Sequence, residues 1–401
     1  MSNPKQNYNV LDLFAGAGGL SLGFEKAGFS VVGAVEIWEP AIKTYIRNHP
    51  RSMMIGGDIR TESVKQQIRA LHKEKPIDIV IGGFPCQGFS MAGNRDPLDT
   101  RSQLYQEYLN VVSELKPIMF LMENVKGLTS MKVLPPDLSK KERERFRKGL
   151  EKMQRFKDLK RYKAQRQLAP EEVEEFESLS ASITKIKKDT TAILTPLLPI
   201  IRKSIEKLGY KVYDKVLNAA DYGSAQYRDR IFIVGIRNEI QDDFSFPAPS
   251  HTKPRSVKEV IGDLEDAPED PSINHEFTNH APAFVKRIAK LKNGETLYKY
   301  SDAWWRLIPD QPSRTVKENH GAVFLHFSKN RVISPREMAR LQDFSDDFIF
   351  ESTKSNVLKQ IGNAVPVSLS RAMGVAFKKF LTIPSLMNVD LSSEITQETL
   401  T

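Results

Sequence analysis

Apolar residues in the first 125 positions form short unbroken runs, separated by stretches in which they recur every third or fourth residue. The runs Val10–Phe14, Val31–Val35, Ile77–Ile81 and Ile118–Met122 predict strands, and the stretches between them predict helices beginning near Gly18, Pro40, Glu62 and Ser102. Repeated strand–helix units build a mostly parallel sheet, so the expected fold class is α/β and Rossmann-like. After Val125 the pattern changes. Residues 131–190 are dense in Lys, Arg and Glu, with Leu, Met and Phe spaced as on one face of a helix, which reads as an insertion. The sheet pattern resumes with a helix over Pro199–Leu208 and apolar runs at Val212–Leu217 and Ile231–Ile236. From Asn238 to about Asn330 the periodicity weakens among prolines, which suits a second, smaller, loop-rich domain; there the Trp304-Trp305 pair is expected to pack in a core. Helical spacing returns at Pro335–Gln342 and after Pro366.

Four strand ends carry residues suited to chemistry. Asp12-Leu13-Phe14-Ala15-Gly16-Ala17-Gly18-Gly19 runs from a strand through a glycine turn into a helix, where the backbone can approach a ligand and the helix N-terminus favours negative charge. Glu36, twenty residues after Gly16, ends the second strand, where a carboxylate can accept both hydroxyls of a ribose. That much indicates a nucleotide-like cofactor without saying which, and Ser21 stands where a dinucleotide fingerprint has its third glycine. Asp58, in Gly57-Asp58-Ile59, has two equal readings: a partner for an adenine amino group, or the N-cap of a helix beginning around Thr61. Gly82-Gly83-Phe84-Pro85-Cys86-Gln87-Gly88-Phe89-Ser90 follows an apolar strand and places a thiol at its carboxyl end, and thirty-seven residues later another strand ends in Glu123-Asn124-Val125. A thiolate and a carboxyl so placed can flank a small planar substrate. Addition of the thiolate at C6 of a cytosine would make C5 nucleophilic, while a protonated carboxyl at N3 would stabilise the charge that builds there.

Composition narrows the picture. Cys86 is the only cysteine in 401 residues, so an intramolecular disulfide is excluded, and seven scattered histidines with no Cys-x-x-Cys pair give no metal-ligand pattern. A lone cysteine is ordinarily a small buried hydrophobe; the residues around Cys86 reverse that expectation. The formal net charge is +9, and residues 131–170 alone hold fourteen Lys and Arg against five Asp and Glu, so the basic character is local. No stretch approaches a membrane span and Met1–Asn9 carries no apolar run, so a cytoplasmic protein is expected.

Taken in order, these segments resemble the cytosine-5 DNA methyltransferases, of the bacterial or archaeal modification type. The Phe14–Gly19 turn, Glu36, Asp58, Pro85-Cys86-Gln87, Glu123-Asn124-Val125 and Gln226-x-Arg228-x-Arg230 look like that family's successive blocks, as do Arg331–Gln342 and Gln360–Pro366. The resemblance implies S-adenosylmethionine as methyl donor, with no metal, and Phe14, Gly16, Gly18, Glu36, Asp58, Ile59, Pro85, Leu104, Asn363 and Val365 around it. Cys86 would be the nucleophile, Glu123 would hold N3, and Arg228 with Arg230 would grip the flipped base and the nearby DNA backbone. The loop from Gln87 to about Arg101 would close over double-stranded DNA, with Met91 and Asn94 as candidates to fill the gap left by the base. Residues 1–237 form the expected catalytic domain and 238–350 the target-recognition domain, in which Thr296-Leu297, Lys317 and His320 are candidate base contacts. Residues 351–385 return to the catalytic domain, and 386–401 are expected to be a disordered tail. For the insertion, a solvated helical hairpin is favoured over a phosphate-binding arm. A cognate restriction endonuclease is a candidate partner, and a monomer on DNA is expected. A tRNA-modifying relative and a catalytically silent DNA-binding regulator are the competing readings. The ninety-residue recognition region speaks against the first, and intact Cys86, Glu123, Arg228 and Arg230 against the second.

Overall fold

Five parallel strands open the chain: β1 (Asn9–Leu13), β2 (Ser30–Glu36), β3 (Met53–Gly56), β4 (Ile79–Gly82) and β5 (Met119–Val125). They alternate with helices α1 (Gly19–Lys26), α2 (Glu39–Asn48), α3 (Glu62–Glu74) and α4 (Leu104–Leu115). In this computed structural model the described residues are 7–85, 104–135, 138–250, 253–298, 303–318 and 324–383. By their contacts they divide into two units, one holding the sheet (residues 1–85, 103–126 and 204–401) and one centred on residues 127–203.

In the first unit the strands form one sheet in the order β3-β2-β1-β4-β5-β9-β8, closed on one side by β9 (Asp229–Arg237), which runs antiparallel to β5, and by β8 (Tyr210–Asn218), which runs antiparallel to β9. The order reverses between β1 and β4, the position at which open α/β sheets leave a crevice beyond their carboxyl ends. Leu13 pairs with Val35 and with Gly82, Glu36 with Gly56, and Gly82 with Met122, so these parallel strands end at a common edge. Strands covered on both faces need apolar side chains throughout, and Val10 to Leu13, Ile79 to Ile81 and Met119 to Met122 are almost fully buried. One face packs Val10, Ile79, Ile81, Leu121 and Phe232 against Phe24 of α1 and Phe377 of α12 (Val367–Leu381). On α4, the Tyr108 hydroxyl reaches the carbonyls of Leu121 at 2.8 Å and Val80 at 3.0 Å.

The second unit contains the inserted segment, two long antiparallel helices, α5 (Lys140–Gln165) and α6 (Pro170–Thr191), above a two-stranded ribbon of β6 (Lys132–Val133) and β7 (Thr195–Pro196). The helical hairpin expected from the apolar spacing is present. Phe156 stacks on Phe176 at 5.4 Å, and Gly149 lets α5 approach Thr190 so closely that an added Cβ would stand 2.2 Å from its hydroxyl.

Beyond α7 (Leu197–Lys207) and the β8–β9 pair, the chain carries short helices, α8 (Val257–Ile261), α9 (Pro282–Ile288) and α10 (Pro335–Leu341), then α11 (Lys354–Asn363) and α12. Trp305 is buried, and Trp304 packs edge-on against Phe284 at 4.9 Å, as expected of a core pair. The sequence pattern missed β3 and α11. β3 is a four-residue edge strand with Met53 exposed, too short and too open to show alternation. No helix among the described residues is long and apolar enough to cross a membrane.

Candidate active site

The turn after β1 is built against the ordinary preference of its side chains. Phe14 sits at φ 58°, in the left-handed region that a bulky L residue rarely occupies, and Gly16 and Gly18 follow at φ 55° and 96°. At Gly18 an added Cβ would stand 2.2 Å from His49 Nε2, so only glycine fits there, whereas at Gly16 it would meet nothing within 4 Å. The turn is tied to β2 by two amides, Ala15 donating to the Val35 carbonyl at 3.0 Å and Gly16 to Glu36 Oε2 at 2.8 Å. The other Glu36 oxygen accepts from the amides of Ile37 at 2.9 Å and Trp38 at 2.8 Å. Three backbone donors thus fix the rotamer of a half-exposed carboxylate, and a carboxylate has about four lone-pair sites. Open space over Gly16 beside a pre-oriented acceptor fits a nucleoside ligand carrying vicinal hydroxyls.

Beneath the turn lies a buried polar chain. Ser21 Oγ donates to Asp12 Oδ2 at 2.6 Å and lies 2.9 Å from the Tyr45 hydroxyl. Burial pushes the Asp12 carboxyl up to about 7, against the opposing pull of the Ser21 hydrogen bond. Asp58 follows β3, joined to the same edge by the Gly57 amide, which donates to the Glu36 carbonyl at 2.9 Å. The N-cap of α3 is Thr61, so the capping reading of Asp58 is set aside. Its carboxylate accepts instead from the Arg60 amide at 3.0 Å and from the exposed Arg60 guanidinium, which lowers its pKa. The Ile59 side chain is buried.

Glu123 is positioned by the two strands beside it. It stands in β5 opposite Phe232 of β9 and accepts from Arg230 Nε at 2.9 Å, with both side chains nearly buried. Burial raises its pKa, opposed by the charges of Arg230 and Arg228. Gly83 makes room for the carboxylate, since a Cβ there would come within 2.7 Å of Oε2. Asn124 Nδ2 donates to the Phe84 carbonyl at 2.9 Å, which holds the segment leaving β4 against the end of β5. That segment is described as far as Pro85. Cys86, the Gln87–Arg101 loop with Met91 and Asn94, His320 and the tail all lie outside the described residues. Leu104 opens α4, half-buried.

Arg228 immediately precedes β9. It was expected to reach a base or the DNA backbone. It is instead fully buried, donating to the carbonyls of Val316, Gly362 at 2.9 Å and Ala364 at 3.0 Å. Its guanidinium is a tie between β9 and the segment carrying Asn363 and Val365, and burial drives its pKa far down. Two glutamines extend the tie. Gln226 Nε2 donates to the Leu341 carbonyl and Gln342 Oε1, both at 2.6 Å, and Gln342 Nε2 donates to the Ile361 carbonyl at 2.7 Å. Their own places in the blocks Gln226-x-Arg228-x-Arg230 and Arg331–Gln342 were the signal that pointed to them. Val365 is buried, and its carbonyl would be 2.6 Å from a Cβ at Gly19, so this segment lies directly against the glycine turn, with Asn363 exposed at the end of α11. A cavity of about 890 Å³, lined by Tyr222, Phe246, Pro247, Arg371, Val375 and Phe380 among others, contains none of the sequence-predicted site residues.

A family model, C-5 cytosine-specific DNA methylase, matches residues 8–179 and 186–379. The Type II methyltransferase M1.HphI of Haemophilus parahaemolyticus is 34% identical over 388 residues, covering 93% of this chain and 87% of its own. M.FnuDI of Fusobacterium nucleatum, another Type II methyltransferase, is 31% identical, covering 98% and 99%. Among solved structures, a prophage-encoded chain from E. coli described as a DNA modification methyltransferase superposes with a TM-score of 0.67 at 27% identity, covering 94% of this chain and 100% of that one. The S. pombe Dnmt2 methyltransferase, at 16% identity and a TM-score of 0.56 over 93% and 99%, bears on the fold alone.

Proposed function

The chain belongs to the C-5 cytosine-specific DNA methylase family and is a DNA methyltransferase, and from that premise we propose that Cys86 and Glu123 together activate a flipped cytosine in a specific duplex site. The observation that carries this reading is Glu123: a buried carboxyl with a raised pKa, held by Arg230 and packed against the Gly83-Phe84-Pro85 segment that leads directly to Cys86.

S-adenosylmethionine, the donor that a methyltransferase of this kind uses, supplies an electrophilic methyl group when bound. Phe14, Gly16, Gly18, Glu36, Asp58, Ile59, Pro85, Leu104, Asn363 and Val365 are the residues that would hold it, and the spare acceptor capacity of Glu36 would be available to its ribose hydroxyls. The Cys86 thiolate adds to C6 of the base, forming a C–S bond and moving electron density toward C5. Glu123 donates its proton, or a hydrogen bond, to N3 as negative charge develops there. Arg230 orients that carboxyl and limits the rise of its pKa. Arg228 acts as a positioning residue through Gly362 and Ala364. Once C5 is substituted, loss of its proton and cleavage of the C6–S bond return the thiolate. Residues 238–350 are assigned the reading of the target sequence, and a cognate endonuclease and a monomeric state on DNA belong to the same reading.

The test uses duplex DNA carrying 5-fluorocytosine at the methylated position. Fluorine cannot leave C5 as the proton does, so the adduct persists, and the wild-type chain should form a species stable to denaturation. Cys86→Ser should form none. A persistent adduct in that variant would overturn the mechanism.

A further inference from the structure

The charge of the helical hairpin is distributed in a way that folding does not require. α5 carries twelve basic and four acidic side chains, a net of +8, against +9 for the whole chain. In the distal half, residues 149–184, seven basic residues face seven acidic ones, and the charges are paired across the turn: Arg155 with Glu175, and Arg166 with Glu172, each at 2.7 Å. At the root, where the chain enters and leaves the hairpin, residues 140–148 and 185–191 hold nine basic residues against three acidic, a net of +6. All nine are exposed. Arg145 lies 3.8 Å from Asp189, and Arg147 and Lys148 share Glu144. Among the described residues no acidic side chain pairs with Lys140, Lys141, Lys185, Lys187 or Lys188.

A solvated hairpin with no partner would be expected to balance charge along its whole length, as this one does only at its tip. Like charges a turn apart destabilise a helix. The N-terminal end of a helix carries the positive pole of its dipole and favours anions. Six cations crowd into the first nine residues of α5, at its positive pole. The hairpin also has no need of them, since its seam is apolar: Phe146, Leu159, Leu179 and Ile183 are buried and Phe156 stacks on Phe176. A surface that bears this repulsion in isolation is relieved by a polyanion.

We propose that the root of the α5–α6 hairpin is a phosphate-binding surface for the sugar–phosphate backbone of the duplex substrate, separate from the residues that handle the cytosine. The inference rests on the DNA methyltransferase reading. It favours the phosphate-binding alternative for the root and leaves the tip a solvated hairpin. Removing one cation that contacts a phosphate lowers the slope of log Kd against log salt by roughly 0.9.

Two variants of the full chain, each losing four positive charges, separate local contact from bulk charge: K140Q/K141Q/K187Q/K188Q at the root and K152Q/K157Q/K160Q/K163Q at the tip. Glutamine is a good helix former, and circular dichroism checks that both remain folded. With a duplex containing the methylated site, the root variant should lower the salt slope by about 2 or more and raise Kd at physiological salt about tenfold or more, with kcat at saturating DNA unchanged. The tip variant should change Kd less than about twofold. Equal shifts in the two variants, or none in the root variant, overturn the proposal while leaving the methyltransferase reading intact; an acidic protein partner for the root would give the second result. A wild-type chain that neither binds nor methylates duplex DNA overturns both.

Discussion

Arg228 and Arg155 each donate three hydrogen bonds at most ordinary distances, yet they do opposite work. Arg155 lies on the hairpin surface, forked onto the carboxylate of Glu175 in water. Arg228 lies inside the sheet-bearing unit, and among the described residues it forms no ion pair: its acceptors are three backbone carbonyls, in Val316, Gly362 and Ala364. An exposed pair gains little because water already solvates both partners. A buried guanidinium costs much to desolvate and persists only where several acceptors replace the lost water. The same contrast holds for the acids. Glu36 and Glu123 are few, fixed by neighbours and face a ligand edge, whereas the hairpin carboxylates are many and exchangeable. Charge is concentrated in the hairpin, whereas the chemistry proposed for Cys86 and Glu123 draws on charges that are scarce and held.

The strongest attempt to break this contrast is Glu123→Gln, which keeps the shape and removes the proton. Loss of a general acid should lower kcat about 10²–10⁴-fold with DNA and donor binding retained, measured by methyl incorporation at saturating substrate. Activity near wild type would remove Glu123 from the mechanism. The variant also has a pH signature. The folded pKa of Glu123 is raised, so its contribution to stability is complete below the ordinary carboxylate range and is lost as pH rises through the folded value. Stability of Glu123→Gln, followed by urea unfolding, should therefore decline less than wild type as pH rises from about 4 toward neutrality.

Arg228→Ala comes next. Three buried or half-buried carbonyls lose their donor, at about 1–3 kcal/mol for each group left unsatisfied, so the urea midpoint should fall by the equivalent of about 3 kcal/mol or more. Arg228→Lys should recover little of that, because a single ammonium cannot span carbonyls from two separate segments. A stable, DNA-binding-deficient Arg228→Ala would restore the direct base or backbone contact that the sequence suggested.

The burial of Arg228 shows what the chain makes legible. The order of strands, the glycine turn and the carboxylates at strand ends follow from local periodicity and from backbone geometry, which neighbouring residues dictate. Glu36 and Glu123 were legible for that reason. The fate of Arg228 was set by carbonyls almost ninety and more than one hundred and thirty residues away, in Val316, Gly362 and Ala364, and no spacing near Arg228 encodes them. The role of Gln226 was obscure on the same ground, because its partners Leu341 and Gln342 lie more than one hundred and ten residues away. β3 escaped because four residues at a half-open edge carry no pattern. The hairpin was legible because its contacts join residues close in sequence.

The smallest effect is expected where the drawn interactions look strongest. Arg155→Ala removes a bidentate pair with Glu175, lowers the helix propensity of α5 not at all, and leaves Glu175 free to be solvated. The seam beneath it is held by Phe156, Phe176, Leu159 and Leu179, none of which the substitution touches. The pair should therefore be thermodynamically almost silent: the urea midpoint and the methylation rate should match wild type within error, and raising the salt concentration should not separate the two chains. A clear loss of stability in Arg155→Ala would mean that the hairpin is held by its ion pairs. Its charge pattern would then be a folding device from tip to root, and the case for a phosphate-binding root would have to rest on the slope measurement alone.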